Sequence, residues 1–126
     1  MWLALRLAST LPKGFHMRPN IINAKEALHM FTLNGAKALG KDRQIGSIEV
    51  GKKADLILVD AQTINSTPLF DPITHLVYST SKSDVTDVFV EGIQVVENGS
   101  STRVDLESVL SQVRSMKSDI ERTLDN

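Results

Sequence analysis

The chain contains no cysteine. Disulfide scaffolds, thiolate zinc sites and cysteine nucleophiles are therefore excluded, and a reducing compartment is compatible with the composition. Aromatic residues are scarce, at 5% of 126, so any core must be aliphatic. Charge of one sign is missing as well: 14 basic and 15 acidic side chains leave a formal net charge of -1. That balance creates no field to gather nucleic acid or an anionic membrane surface. No basic run exceeds Lys52-Lys53. No stretch approaches the roughly 18 apolar residues that a membrane span requires. The opening Met1-Trp2-Leu3-Ala4-Leu5-Arg6-Leu7-Ala8-Ser9 has no basic leader and is interrupted by Arg6, so it reads as a helix rather than a secretion signal. These absences point to a cytoplasmic chain that engages neither nucleic acid nor membrane.

What is present suits one globular domain: hydrophobic residues are 41% and charged residues 23%. Ala4, Leu7, Ala8 and Leu11 follow helical spacing, and Pro12 and Gly14 are expected to end that helix. It begins at residue 1 without a cap, which suggests a chain cut from something longer. Residues 15–22 read as a loop around Pro19. Asn23 and Glu26 have capping-box spacing, and Ala24, Ala27, Leu28 and Phe31 share the helical face that follows. Asn34-Gly35 is expected to interrupt, with a further short turn over 36–39 closed by Gly40.

Beyond Gly40 the pattern becomes β-like. Gly46 and Gly51 bracket a predicted short strand, Ser47 to Val50. Residues 54–60 read as a strand with an apolar centre, buried on both faces. Residues 62–72 are loop-like until Asp71-Pro72, a cap and first position for a helix carrying Ile73, Leu76 and Val77. Residues 85–90 and 93–96 are β-rich runs joined at Glu91-Gly92 as a tight hairpin, and Asn98-Gly99 ends the second. Leu106, Val109, Leu110, Val113, Met116, Ile120 and Leu124 trace one face of a final helix, with Asp105 and Glu107 near its positive N-terminus. The order of helices, strands and one helix is α+β, with too few strands for a closed barrel.

Four stretches together carry a resemblance: NAKEALHMFTLNGAKAL at 23–39, IGSIEVGKKADLILVD at 45–60, LFDPITHLVYS at 69–79 and DVTDVFVEGIQVVENG at 84–99. In this order they resemble the C-terminal end of the amidohydrolase superfamily. The nearest group is the deaminase and chlorohydrolase branch, which includes 5-methylthioadenosine/S-adenosylhomocysteine deaminases and atrazine-type chlorohydrolases. The resemblance implies an α+β fragment: the last helices of a (β/α)8 barrel, C-terminal strands of a composite β-sandwich, and a final helix packed back on the body. On that basis residues 1–40 are terminal barrel helices. Residues 41–104 are the sandwich portion with a short helix near 72–79, and residues 105–126 are the C-terminal helix. The implied partners are the N-terminal barrel and sandwich strands of a parent enzyme.

The resemblance also implies hydrolysis of a C–N or C–Cl bond in a heterocycle by water activated on a divalent metal, zinc or iron. Such sites use a His-x-His pair, two further histidines, an aspartate and a proton-shuttling glutamate. None is found here, and the aspartate would lie upstream of Met1. The three histidines, His16, His29 and His75, are dispersed and lack ligand spacing. His16 reads as a solvated loop residue, His29 as a helix flank and His75 as a structural hydrogen-bonding group. Asp55 is expected to pair with backbone donors or with Lys52 or Lys53. Lys52-Lys53 reads as a solvated edge, because no glycine-rich loop leads into a helix there. Gly46, Gly51 and Gly92 read as turn residues. Ser9, Ser79 and Ser81 lack a base and acid in a nucleophile setting. No catalytic, cofactor-binding or metal residue is therefore assigned. Two hypotheses follow: the C-terminal segment of a metal-dependent amidohydrolase, not catalytic alone, or a stand-alone non-catalytic binding or dimerisation module derived from such a tail, with a homo-oligomer as its expected assembly.

Overall fold

The computed structural model describes residues 2–124, without the side chains of residues 118, 119, 122 and 124. Met1, the predicted starting point of the first helix, falls outside. Helix α1 spans Trp2–His16 and runs through Pro12 and Gly14, where an end was expected. Proline removes one N–H, but its fixed φ is itself helical. Tertiary contact holds the turn beyond it, because Lys13 Nζ donates to the Tyr78 hydroxyl at 2.6 Å. The helix closes one turn later, where Arg18 N–H reaches the Lys13 carbonyl and Met17 N–H reaches Gly14. This pair of bonds places Met17 at a φ of 52°, a conformation usually given to glycine.

Helix α2, Ala24–His29, begins with the reciprocal capping box of Asn23 and Glu26, both bonds at 2.9 Å. The expected break at Asn34-Gly35 does not occur. The chain continues through a π-helical segment, Met30–Asn34, into α3, Gly35–Ala38, because Gly35 takes helical angles of -60° and -45°. Gly40 supplies the real stop at a φ of 67°, with Lys41 N–H bonded back to Ala36.

Residues 47–50 are not a strand. Their backbone is committed to a turn, with Lys52 N–H on the Glu49 carbonyl and Lys53 N–H on Gln44, and Ile48 is 87% exposed. The strands are β1 Leu56–Val59, β2 Val85–Val90, β3 Ile93–Glu97 and β4 Ser100–Ser101. They form one antiparallel sheet in the order β1-β2-β3-β4. Ile57 and Leu58 are consecutive in β1 and point to opposite faces of the sheet; both are exposed, so the expected burial on both faces is not met. Leu56 pairs with Phe89, and Val90 with Ile93. Glu91 and Gly92 both take positive φ, at 52° and 80°, the geometry that suits the twist of a two-residue hairpin. Asn98 and Gly99 repeat it at 47° and 76°, so they end β3 and also launch β4, which the sequence did not suggest.

Helix α4, Pro72–Tyr78, starts as predicted, with the Asp71 carboxylate accepting from the N–H groups of Ile73 and Thr74. It lies between β1 and β2 in sequence but packs with the helices. Leu5, Ala24, Ala27 and Val77 form the buried apolar cluster, flanked by half-buried Trp2, Ile22, Leu28, Phe31, Ile73 and Tyr78. Helix α5, Leu106–Leu124, carries its apolar stripe uncovered: Leu106, Val109, Leu110, Val113, Met116 and Ile120 are all exposed. The last member of that stripe, the Leu124 side chain, lies outside the described part, as do residues 125–126.

Candidate functional site

A cleft of about 570 Å³ opens between the helical layer and the β1 edge. Trp2, Leu28, Phe31, Leu39, Ile45 and Leu56 line most of it. Its size suits a small molecule. Its polar rim, however, is occupied by structural work. The Asp55 carboxylate accepts from Glu91 N–H at 2.7 Å, and the Ala54 carbonyl accepts from Gly92 N–H at 3.0 Å. Lys53 pairs with the Glu91 carboxylate. That hydrogen bond, then the charge of Glu91, raises the Lys53 ammonium above the usual lysine range. Together these contacts clasp the β2–β3 turn, and the expected pairing of Asp55 with a backbone donor is present.

Lys52 departs from its expected solvated edge. Its side chain is only 11% exposed, and its Nζ donates to Ser47 Oγ at 2.5 Å and pairs with Glu49 at 3.4 Å. The turn that replaced the predicted strand supplies both partners. The Ser47 hydroxyl, then Lys52, holds the Glu49 carboxyl below its ordinary value.

The histidines do not converge. His16 ends α1, exposed, with its ring edge-on to Phe15 at 5.0 Å. His29 is exposed at the end of α2. His75 is half-buried, with Nε2 3.0 Å from Ser66 Oγ, which in turn lies 2.8 Å from Thr63 Oγ1. That network ties α4 to the preceding loop, a structural role like the one expected. Among the described residues no three of His, Asp or Glu gather in a way that could hold a metal ion. Ser79 sits exposed at the α4 C-cap, and Ser81 bonds Asp84 and Ser83.

One cluster was not foreseen. Ser9, fully buried, lies 2.5 Å from the Tyr78 hydroxyl, which Lys13 also contacts. Beside it, Arg6 Nη2 donates to the Thr80 carbonyl at 3.0 Å, just past the C-terminal end of α4, while its Nε is buried without a partner. The i, i+4 spacing of Ser9 and Lys13 puts them on one helix face. Nothing local in sequence couples that face to residue 78.

The model of the Amidohydrolase family matches residues 1–95. A 5-methylthioadenosine/S-adenosylhomocysteine deaminase from Acetivibrio thermocellus is 44% identical over 114 residues, 90% of this chain and 26% of that protein. A protein of the same name from Moorella thermoacetica is 44% identical over 108 residues, 86% of this chain and 25% of its own length. Among solved structures, a zinc-bound adenosine deaminase from Xanthomonas campestris superposes with a TM-score of 0.87 and 32% identity, over 97% of this chain and 28% of that one. The zinc complex of atrazine chlorohydrolase TrzN from Arthrobacter aurescens gives 0.78 and 26%, over 91% and 26%. The chain thus spans about a quarter of the length of these relatives. With most of its residues inside the family match and nearly all of its fold inside the superposition, the chain belongs to the amidohydrolase family.

Proposed function

We propose that this chain is the C-terminal segment of a metal-dependent amidohydrolase that deaminates or dechlorinates a heterocycle, and that it does not catalyse alone. The observation that carries this is the match of 90% of the chain to only 26% of a deaminase at 44% identity. In this reading α1 and the α2–α3 helix are the last barrel helices, β1–β4 belong to a composite sandwich, and residues 105–126 close the body. The exposed faces of β1 and α5 support it, since each is apolar surface that a larger protein would cover. The described residues do not fit the zinc ion held by the solved relatives, because no set of donors converges. No catalytic step is therefore assigned to this chain, and any metal would be held by residues elsewhere in a parent enzyme.

The test is direct. The purified chain, loaded with zinc and given 5-methylthioadenosine, is expected to release no ammonia, and sustained turnover would overturn the proposal. The DNA in frame upstream of the Met1 codon is expected to encode an aspartate-bearing strand and, earlier, a His-x-His pair. A stop codon and ribosome-binding signal directly upstream would favour the second reading, a stand-alone module. The α5 stripe, which the first reading covers with the rest of a parent enzyme, would in this second reading pair two copies. Sedimentation of the purified chain as a dimer would then be expected.

A further inference from the structure

The Ser9–Tyr78–Lys13 cluster plays no part in the proposal above, and its hydrogens can be placed by counting. Ser9 Oγ donates its one hydrogen to the Ile22 carbonyl at 2.9 Å. In the 2.5 Å contact between Ser9 and Tyr78 either hydroxyl could donate. With the serine hydrogen committed, the phenol hydrogen must point to Ser9 Oγ. The phenol oxygen is then free to accept from Lys13 Nζ at 2.6 Å. The result is one directed chain from Lys13 through Tyr78 and Ser9 to Ile22.

Lys13 adds a second contact, with Nζ 5.0 Å from the centroid of the same ring. The ion pairs among the described residues involve other lysines, so the Lys13 charge is directed at the phenol. An ammonium held on a phenol oxygen favours the phenolate. Burial pushes the Tyr78 hydroxyl up. The Lys13 hydrogen bond, the Ser9 hydrogen bond and the Lys13 charge together outweigh burial and bring it below the ordinary tyrosine range.

We propose that Tyr78 is a modification site: a phenol activated by Lys13 that reacts as an oxygen nucleophile with sulfonyl-transfer electrophiles. In the step, the phenol proton leaves to water while Lys13 keeps its protons and donates to the phenolate. The phenolate oxygen attacks sulfur, an O–S bond forms, the S–F bond of an aryl sulfonyl fluoride breaks, and fluoride departs. As the phenolate forms, the Ser9 hydrogen turns from the Ile22 carbonyl toward it.

Tyr78 is the chain's single tyrosine, so both readouts are unambiguous. The intact chain is treated with an aryl sulfonyl fluoride at mildly alkaline pH, and the adduct is mapped by mass spectrometry. Tyr78 is expected to label faster than N-acetyltyrosinamide, because Lys13 favours the phenolate, and Lys13→Met is expected to remove the advantage. Labelling no faster than the free amide, or unchanged in a folded Lys13→Met variant, overturns the proposal. A spectrophotometric titration of the unmodified chain guards against a variant that fails to fold. Phenolate absorbance rising below the ordinary tyrosine range supports the proposal, and a midpoint at or above that range defeats it.

Discussion

The layer formed by α1, α2 and α4 and the terminal helix α5 both carry amphipathic patterns, yet only the layer has a buried side. On α1 that side is Leu5 and Ser9 rather than the face of Ala4, Leu7, Ala8 and Leu11 that the spacing predicts, where Leu7 and Leu11 are exposed. Val77 and Val113 make the contrast concrete, at 0% and 56% exposure. In the layer, Ala24 and Ala27 are small enough to let Leu5 and Val77 approach. On α5 the stripe stays exposed. Amphipathicity states that a helix needs a cover. It does not state where the cover comes from.

The contrast can be tested by substitution. The largest effect is expected where the loop after α3 presses on the helices. A Cβ at Gly46 would stand 2.7 Å from that of Ala36, at a φ of 93°. Gly46→Ala is expected to destabilise by about 3 kcal/mol, combining strain and overpacking. Urea unfolding checks this, and an unchanged midpoint would mean the loop does not seat on the layer. Next comes the valine pair: Val77→Ala should cost about 2 kcal/mol through an unfilled cavity, and Val113→Ala under about 0.5 kcal/mol. Equal losses would show that α5 is covered after all, for instance by a second copy.

Smaller effects separate the two ends of the α1–α2 connection. Asn23→Ala removes the cap of α2 and is expected to cost about 1 kcal/mol. Met17→Gly should do the opposite and stabilise by about 1 kcal/mol, because Met17 holds a left-handed conformation with an exposed side chain. Thermal melts of the two variants should therefore move in opposite directions. The smallest effect concerns pH. The Thr74 hydroxyl, then the Thr74 N–H, hold the Asp71 carboxyl below its usual value of 3.8. A depressed acid adds stability that is complete above the unfolded value and is lost as pH falls through the folded one. Asp71→Asn keeps a capping oxygen and should flatten the acid limb of the stability curve while leaving neutral pH little changed. An acid limb identical to that of the unmodified chain would assign the loss to other carboxylates.

The elements that were legible in the sequence are those whose signal is local. The Asn23–Glu26 box, the Asp71-Pro72 start and the Glu91-Gly92 hairpin turn are each set by residues next to one another in the chain. The failures lie where distant residues intervene. Pro12 is a local stop signal, but the helix continues to a turn anchored on Tyr78. Residues 47–50 have strand composition, but their hydrogen bonds go to a turn. The structural role of His75 was legible because it sits within a capped helix beside its loop. The Tyr78 cluster was not, since residues 9, 13 and 78 have no local tie.

Capping chemistry, turn residues and apolar spacing thus determined which segments are helix and which are hairpin, because each signal acts over one or two turns of chain. The tertiary structure decided that α4 joins the helices rather than the sheet, that Met17 bears a strained cap, and that one tyrosine meets a lysine and a buried serine. Those outcomes depend on which surfaces meet, and complementarity between surfaces far apart along the chain is not written in any local pattern.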